Sequence, residues 1–201
     1  MRVLAVFFTL FLSGGLSGQV VQRKHLITSY GAGVGLLTMS SPTEVLRSTS
    51  ALAGSIRFAV GYAAGDRFSL GFHYERLGST IHPGPVERFR VSQYHFEVSV
   101  RPVMRERWCI EFGVGVGPSI IVLSPTVGRL QPRANVGSVG FGLRYLRMLG
   151  PTLGVSIGCE ITAAQEASLA VEAVPVLDER GQAVQVGWNA PRLGGGLVVR
   201  F

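Results

Sequence analysis

Four arginines and four glutamates carry most of the chemistry this sequence offers: Arg57, Arg101, Arg144 and Arg192, with Glu75, Glu97, Glu111 and Glu160. Each stands within a segment of alternating polar and apolar positions and falls on the polar side, so all eight share one face of a set of strands. Equal numbers of opposite charges on one enclosed face point to ion pairing. Glu97 and Glu111 stand out: a hairpin turn centred near Met104 makes them face each other directly across neighbouring strands. Close carboxylate pairs serve acid–base chemistry. One bridging arginine, such as Arg144 from the next strand, satisfies them just as well; that reading is adopted, and no catalytic residue is assigned.

His73 and His95 project to the same polar face from adjacent strands. A metal needs further ligands at bonding distance, and no tight Cys/His spacing supplies them. Structural hydrogen bonding is therefore expected, with no metal and no cofactor. The glycines of Gly113-Val-Gly-Val-Gly117 lack the strand-to-helix setting of a dinucleotide fingerprint; small inward residues account for them.

Which elements place these groups? The chain opens Met1-Arg2 and continues in an apolar run to Leu12, followed by small residues to Gly18. A basic start, a short apolar stretch and a small-residue cleavage zone read as a secretory signal over residues 1–18, leaving 19–201 as one exported domain. Such a run is too short to span a bilayer as a helix, which takes about 20 residues. The rest of the chain has no apolar stretch of that length, yet 47% of all residues are hydrophobic and only 15% charged. An exported chain this apolar either packs a large dry core or meets lipid as a closed barrel, whose wall has no unpaired edge.

Period-two alternation marks eight segments, at 29–36, 52–62, 68–75, 93–101, 108–117, 138–145, 153–162 and 192–201. Each has roughly the ten residues of a tilted transmembrane strand. The connections 63–66, 103–106 and 147–151 are short, whereas 38–50, 78–89, 124–132 and 163–188 are longer. Short turns on one side and long loops on the other suit an up-and-down barrel with both termini on the periplasmic side. Tyr62, Phe68, Trp108, Tyr145 and Phe201 sit on the apolar face at the periplasmic strand ends, where an interfacial aromatic girdle belongs; Tyr74 and Tyr94 suit an outer girdle. Cys109 points inward and Cys159 outward on strands that are not neighbours, so no disulfide is expected.

The formal net charge is +7, and Lys24 is the only lysine. The arginines are scattered, and export argues against nucleic acid as a partner. Arg47, Arg88, Arg129 and Arg133, in or beside the longer connections, suit the phosphates of lipopolysaccharide. In the last connection, apolar stretches at 169–176 and 182–188 flank the turn signal Asp178-Glu-Arg-Gly181. The final two strands are expected to project there as a hairpin, with 163–168 absorbed as a bulge or kink. That 163–188 loop is the candidate site for a protein partner.

The chain resembles the small eight-stranded outer-membrane β-barrels of Gram-negative bacteria over residues 19–201. Its ending, Leu193-Gly-Gly-Gly-Leu197-Val-Val199-Arg-Phe201, is similar to their C-terminal assembly signal, a terminal aromatic preceded by alternating apolar residues. The resemblance implies an all-β, eight-stranded antiparallel up-and-down transmembrane barrel in the outer membrane, in contact with its lipid and lipopolysaccharide. It also implies insertion by the barrel-assembly machinery through the strand ending at Phe201. A structural or interaction role is expected, with the lumen filled by Arg/Glu pairs. Two alternatives are a narrow small-solute pore, decided by whether the lumen is occluded, and a secreted lipocalin-like barrel, whose mostly Gly and Ser exterior would be a poor solubiliser. A lipid-modifying enzyme lacks an outward Ser–His–acid set: Ser92 is isolated and the strand histidines face inward.

Overall fold

The computed structural model describes residues 25–41, 49–80, 86–125 and 130–201. The expected signal segment 1–18 and its cleavage point, and the loop arginines Arg47 and Arg129, lie outside the described residues. In chain order the strands are β1 (His25–Ser40), β2 (Thr49–Ala63), β3 (Phe68–Thr80), β4 (Val86–Met104), β5 (Trp108–Pro125), β6 (Arg133–Met148) and β7 (Leu153–Ser168). Two-residue strands β8 (Ala170–Val171) and β9 (Val174–Pro175) precede β10 (Gln185–Arg200). Eight antiparallel strands form the wall: β1 to β7 pair in sequence and β10 joins β7 to β1. β8 and β9 branch from β6 and add no strand to the wall, so the closure is eight-stranded. Closure satisfies every wall edge, which hydrocarbon demands.

Polarity is inverted relative to a soluble barrel. Outward positions hold Tyr30, Ile56, Phe58, Phe72, Phe96, Phe112, Phe141, Leu143, Ile157 and Leu193, all exposed, while His73, Glu75, Glu97, Arg101, Glu111 and Arg192 are buried. Alternation at period two places each set on its own side. A soluble lipocalin-like arrangement does not fit this exterior, because no soluble surface carries so continuous an apolar band. Phe96→Arg, in the middle of that band, is expected to destabilise the barrel by about 2–4 kcal/mol, against about 0–1 for Thr80→Arg near the outer rim. Urea unfolding in phospholipid vesicles checks the difference.

The strands run past the apolar band at the end opposite the short connections, here called the outer end. Strand reaches into all four connections read from sequence as loop, over 38–40 and 49–50, 78–80 and 86–89, 124–125, and 163–168 and 185–188. Inside this extension lies an apolar core that sequence alternation did not announce. Leu37, Leu77, Phe89, Val91, Ile121 and Trp188 are almost completely buried there, at 0–2% exposure. Outward neighbours in the same stretch are polar, such as Thr38, Arg90 and Asn135. Outside the bilayer the usual rule returns, water without and packed side chains within.

The last connection also differs from a projecting hairpin. β7 and β10 stay paired to Ser168↔Gln185, with a register shift that leaves one extra residue on β7 between Ala164 and Ala167. Beyond that point residues 169–184 fold back. Leu169 and Val184 are buried in the outer core, and β8 pairs with Arg133 of β6. Two tight turns permit this. One uses Glu172 and Ala173 in left-handed backbone conformations. In the other, Asp178 Oδ1 accepts from the backbone N–H groups of Arg180 and Gln182, and Gly181 has φ +74°. Burying Leu169 and Val184 outweighs holding a bare two-stranded ribbon in water, which is marginal by itself.

Candidate functional site

The eight lumen charges form one continuous chain of alternating sign. It runs Glu75–Arg192–Glu160–Arg57–Glu97–Arg144–Glu111–Arg101. Arg192 holds Glu75 and lies 2.6 Å from Glu160. Arg57 pairs with Glu160 and lies 2.5 Å from Glu97. Arg144 reaches Glu97 at 2.6 Å and Glu111 at 3.0 Å, and Arg101 closes on Glu111 at 3.0 Å. Hydroxyl groups add to the belt: Ser99 Oγ donates to Glu97 at 2.9 Å, and the Thr162 and Ser69 hydroxyl oxygens accept from Arg192 and Arg101. With four charges of each sign the belt is neutral, the condition under which buried charge is tolerated.

Strand geometry sets who meets whom. Glu97 and Glu111 are not opposite one another as the turn estimate required. Glu97 faces Gly115, and Glu111 faces Arg144 across β5 and β6. An irregularity between Val100 and Val103 shifts the β4–β5 register, and the connection is 105–107 rather than one centred on Met104. The two carboxylates are joined through Arg144 instead. Arg57 on β2 and Glu160 on β7 meet across the lumen, a contact no neighbouring-strand argument reaches. Inward glycines make the room. A Cβ on Gly113 would lie 3.0 Å from Glu97 Oε1 and 3.3 Å from Arg144 Nη2, and one on Gly115 would lie 3.1 Å from His95 Nδ1.

The two histidines stack edge to face with centroids 4.9 Å apart. His73 Nδ1 lies 2.9 Å from Glu97 Oε2 and 3.1 Å from Arg57 Nη2, and His95 Nε2 lies 2.7 Å from Ser138 Oγ. Ligand atoms of His73, Glu75 and Glu160 approach within 4.8 Å of one another. The guanidinium groups of Arg57 and Arg192 already occupy the positive side of those carboxylates. A metal would have to displace one of them. Both histidines are buried inside the barrel, away from lipid substrate.

Beside the belt lies a cavity of about 140 Å³, lined by Arg57, Glu75, Glu97, Arg144 and the inner glycines of β1 and β10. It has room for several waters. Apolar layers bound the belt at both ends: the outer core on one side, and Cys109, Leu146 and Val198 with Ile27, Met104 and Met148 on the other. Both cysteines are free thiols, Cys109 in this inner seal and Cys159 on the lipid face. At the inner end Tyr62, Phe68, Tyr145 and Phe201 are exposed, and Trp108 packs against Tyr145 at 5.8 Å between centroids. Tyr74 and Tyr94 pair at 5.1 Å further out.

A closed antiparallel ring, a lipid-facing apolar band between aromatic pairs and a charge-filled lumen together define an integral membrane β-barrel of the outer-membrane class. Its fold is similar to that of Neisserial surface protein A, at TM-score 0.61 and 14% identity over 90% of this chain and 100% of the other. It is also similar to AlkL, solved in lipid bilayers, at TM-score 0.57 and 11% identity over 93% and 94%. OprG of Pseudomonas aeruginosa gives 0.56 and 9% over 90% and 97%. No family profile and no curated protein sequence matches the chain.

Proposed function

We propose that this barrel is a non-conducting outer-membrane protein with a structural or interaction role, its outer end being the face it offers to partners. The observation that carries this reading is the layered lumen, a neutral ion-paired belt between two packed apolar seals. A solute pore needs a continuous wet path, and the outer seal holds side chains from six of the eight wall strands at 0–2% exposure. Among the described residues the outer end consists of strand extensions and the 169–184 segment, which is folded back onto the outer core. Insertion by the barrel-assembly machinery through the strand ending at Phe201 belongs to the same proposal.

The test is electrical. The refolded full chain, shown closed by a gel shift between unheated and boiled samples, is added to planar lipid bilayers. Expected are shifted bands and no unitary conductance steps. Stable, reproducible steps from the wild-type protein would overturn the reading in favour of the narrow pore.

A further inference from the structure

The lumen is closed unequally at its two ends. The outer core buries 16 apolar residues. The inner seal buries three, Cys109, Leu146 and Val198, while Ile27, Met104 and Met148 are only partly buried. Met104 and Met148 are the last residues of β4 and β6, beside short connections. An unbranched thioether repacks readily about its three rotatable bonds. The belt cavity of about 140 Å³ abuts this thinner seal. Ile27, Leu146 and Val198 line it and, among the described residues, none of the outer core does. One layer of side chains therefore divides the cavity from the end that carries the short connections, the periplasmic one.

The cavity presents mainly hydrogen-bond donors. Arg144 and Arg57, which both border it, have 21% and 15% of their side chains exposed, against 10% or less for the four belt glutamates. Each guanidinium carries five N–H groups and keeps some beyond those given to carboxylates. Glu97, by contrast, is met by Arg57, Arg144, Ser99 and His73. His73 also borders the cavity, and its buried Nε2 has no hydrogen-bond partner among the described residues. The belt is already neutral, so an entering ion would be left uncompensated at high cost. An uncharged solute with acceptor oxygens meets the free donors and keeps the balance. At ~30 Å³ per water the space holds roughly five waters, or a solute of about that many non-hydrogen atoms.

We infer that this cavity is a one-ended binding site for a small uncharged solute rich in acceptor oxygens, such as a polyol or an amide. The solute enters from the periplasm past Met104 and Met148, and the outer core bars it from the exterior. A through-pore would admit ions and open at both ends, so this site and the non-conducting reading fail on different measurements.

The experiment uses the refolded full chain carrying Ser156→Cys and Cys159→Ala in micelles, with closure checked by gel shift. Ser156 lines the cavity from β7. Cys109 is retained, and each modified thiol is located by peptide mass. Every rate is divided by that of the same reagent on the boiled chain. Uncharged methyl methanethiosulfonate is expected to modify position 156 in the folded barrel. Its sulfonate- and ammonium-bearing analogues are expected to be at least roughly ten-fold slower, because an ion must shed its water at the apolar seal. Adding Met104→Ala and Met148→Ala is expected to speed the uncharged reagent roughly ten-fold by easing local opening, whereas Leu37→Ala in the outer core leaves the rate unchanged. Glycerol, as the probe solute, is expected to protect position 156 several-fold more than sucrose at equal osmolality, sucrose being too large for the cavity. Four results would each overturn the assignment: no modification of the folded barrel even with both methionines trimmed, equal rates for charged and uncharged reagents, acceleration by Leu37→Ala, or sucrose protecting as well as glycerol. The comparison of reagents needs no seal variant to fold.

Discussion

Arg57→Met is expected to lower the stability of the barrel by about 3–5 kcal/mol, the cost of breaking a buried pair and stranding its partner. Arg57 is the central link of the lumen chain. Removing it separates Glu97–Arg144–Glu111–Arg101, which remains neutral, from Glu75–Arg192–Glu160, which is left with one negative charge in excess. Charge balance therefore predicts the rescue. In Arg57→Met/Glu160→Gln, Arg192 keeps Glu75, Arg144 keeps Glu97 and Glu111, and no ion is left alone. Most of the lost stability should return. Urea titration of the refolded proteins in micelles measures both. If the double variant is as unstable as the single, the belt acts through packing or through the particular Arg57–Glu160 hydrogen bond, and neutrality is not what holds it.

Trp188→Ala is expected to cost about 3–5 kcal/mol, the range for deleting a fully buried large aromatic. This is the sharpest test of the outer core. Trp188 is 2% exposed and packs in the cluster that holds Leu37, Phe89, Ile121, Leu169 and Val184. Were residues beyond the apolar band only solvated loop, the same change would fall within about 0.5 kcal/mol, as surface substitutions do. The loss should be accompanied by earlier proteolysis between residues 169 and 184, because Leu169 and Val184 lose the surface that keeps that loop folded back. An effect confined to the loop, with an unchanged unfolding midpoint, would show that the extension folds independently of the membrane-embedded wall.

These two sites sit on opposite sides of what sequence reading reaches. Period-two alternation assigned Arg57, Glu75, Glu97, Arg101, Glu111, Arg144, Glu160 and Arg192 to the lumen, because a strand leaves a side chain only two directions. It placed Phe68, Trp108 and Phe201 at one end of the apolar band for the same reason. Partnership was a different matter. Arg144 was legible as a bridge because β5 and β6 are adjacent, but the register of Glu97 depends on an irregularity at 100–103; Pro102, with no N–H for the ladder, marks the break without fixing how far the register moves. The outer core escaped for a physical reason. Leu37, Phe89, Ile121 and Val136 keep the lumen parity of their strands, but apolar residues on that parity break the polar-inside pattern that marks a membrane strand. Following strand parity beyond the membrane band would have found them.

The sequence by itself determined the inside-out barrel and which side of the wall each charge occupies, since both follow from chain-local alternation and the demand that hydrocarbon meet no unpaired backbone. Only the tertiary structure decided that the ring closes on eight strands with β8 and β9 outside it, that Arg57 reaches across to Glu160, and that residues 169–184 fold back as part of a seal. Those contacts join residues far apart in the chain, and they are fixed by strand tilt, register and ring closure, quantities that belong to the whole barrel and to no single segment.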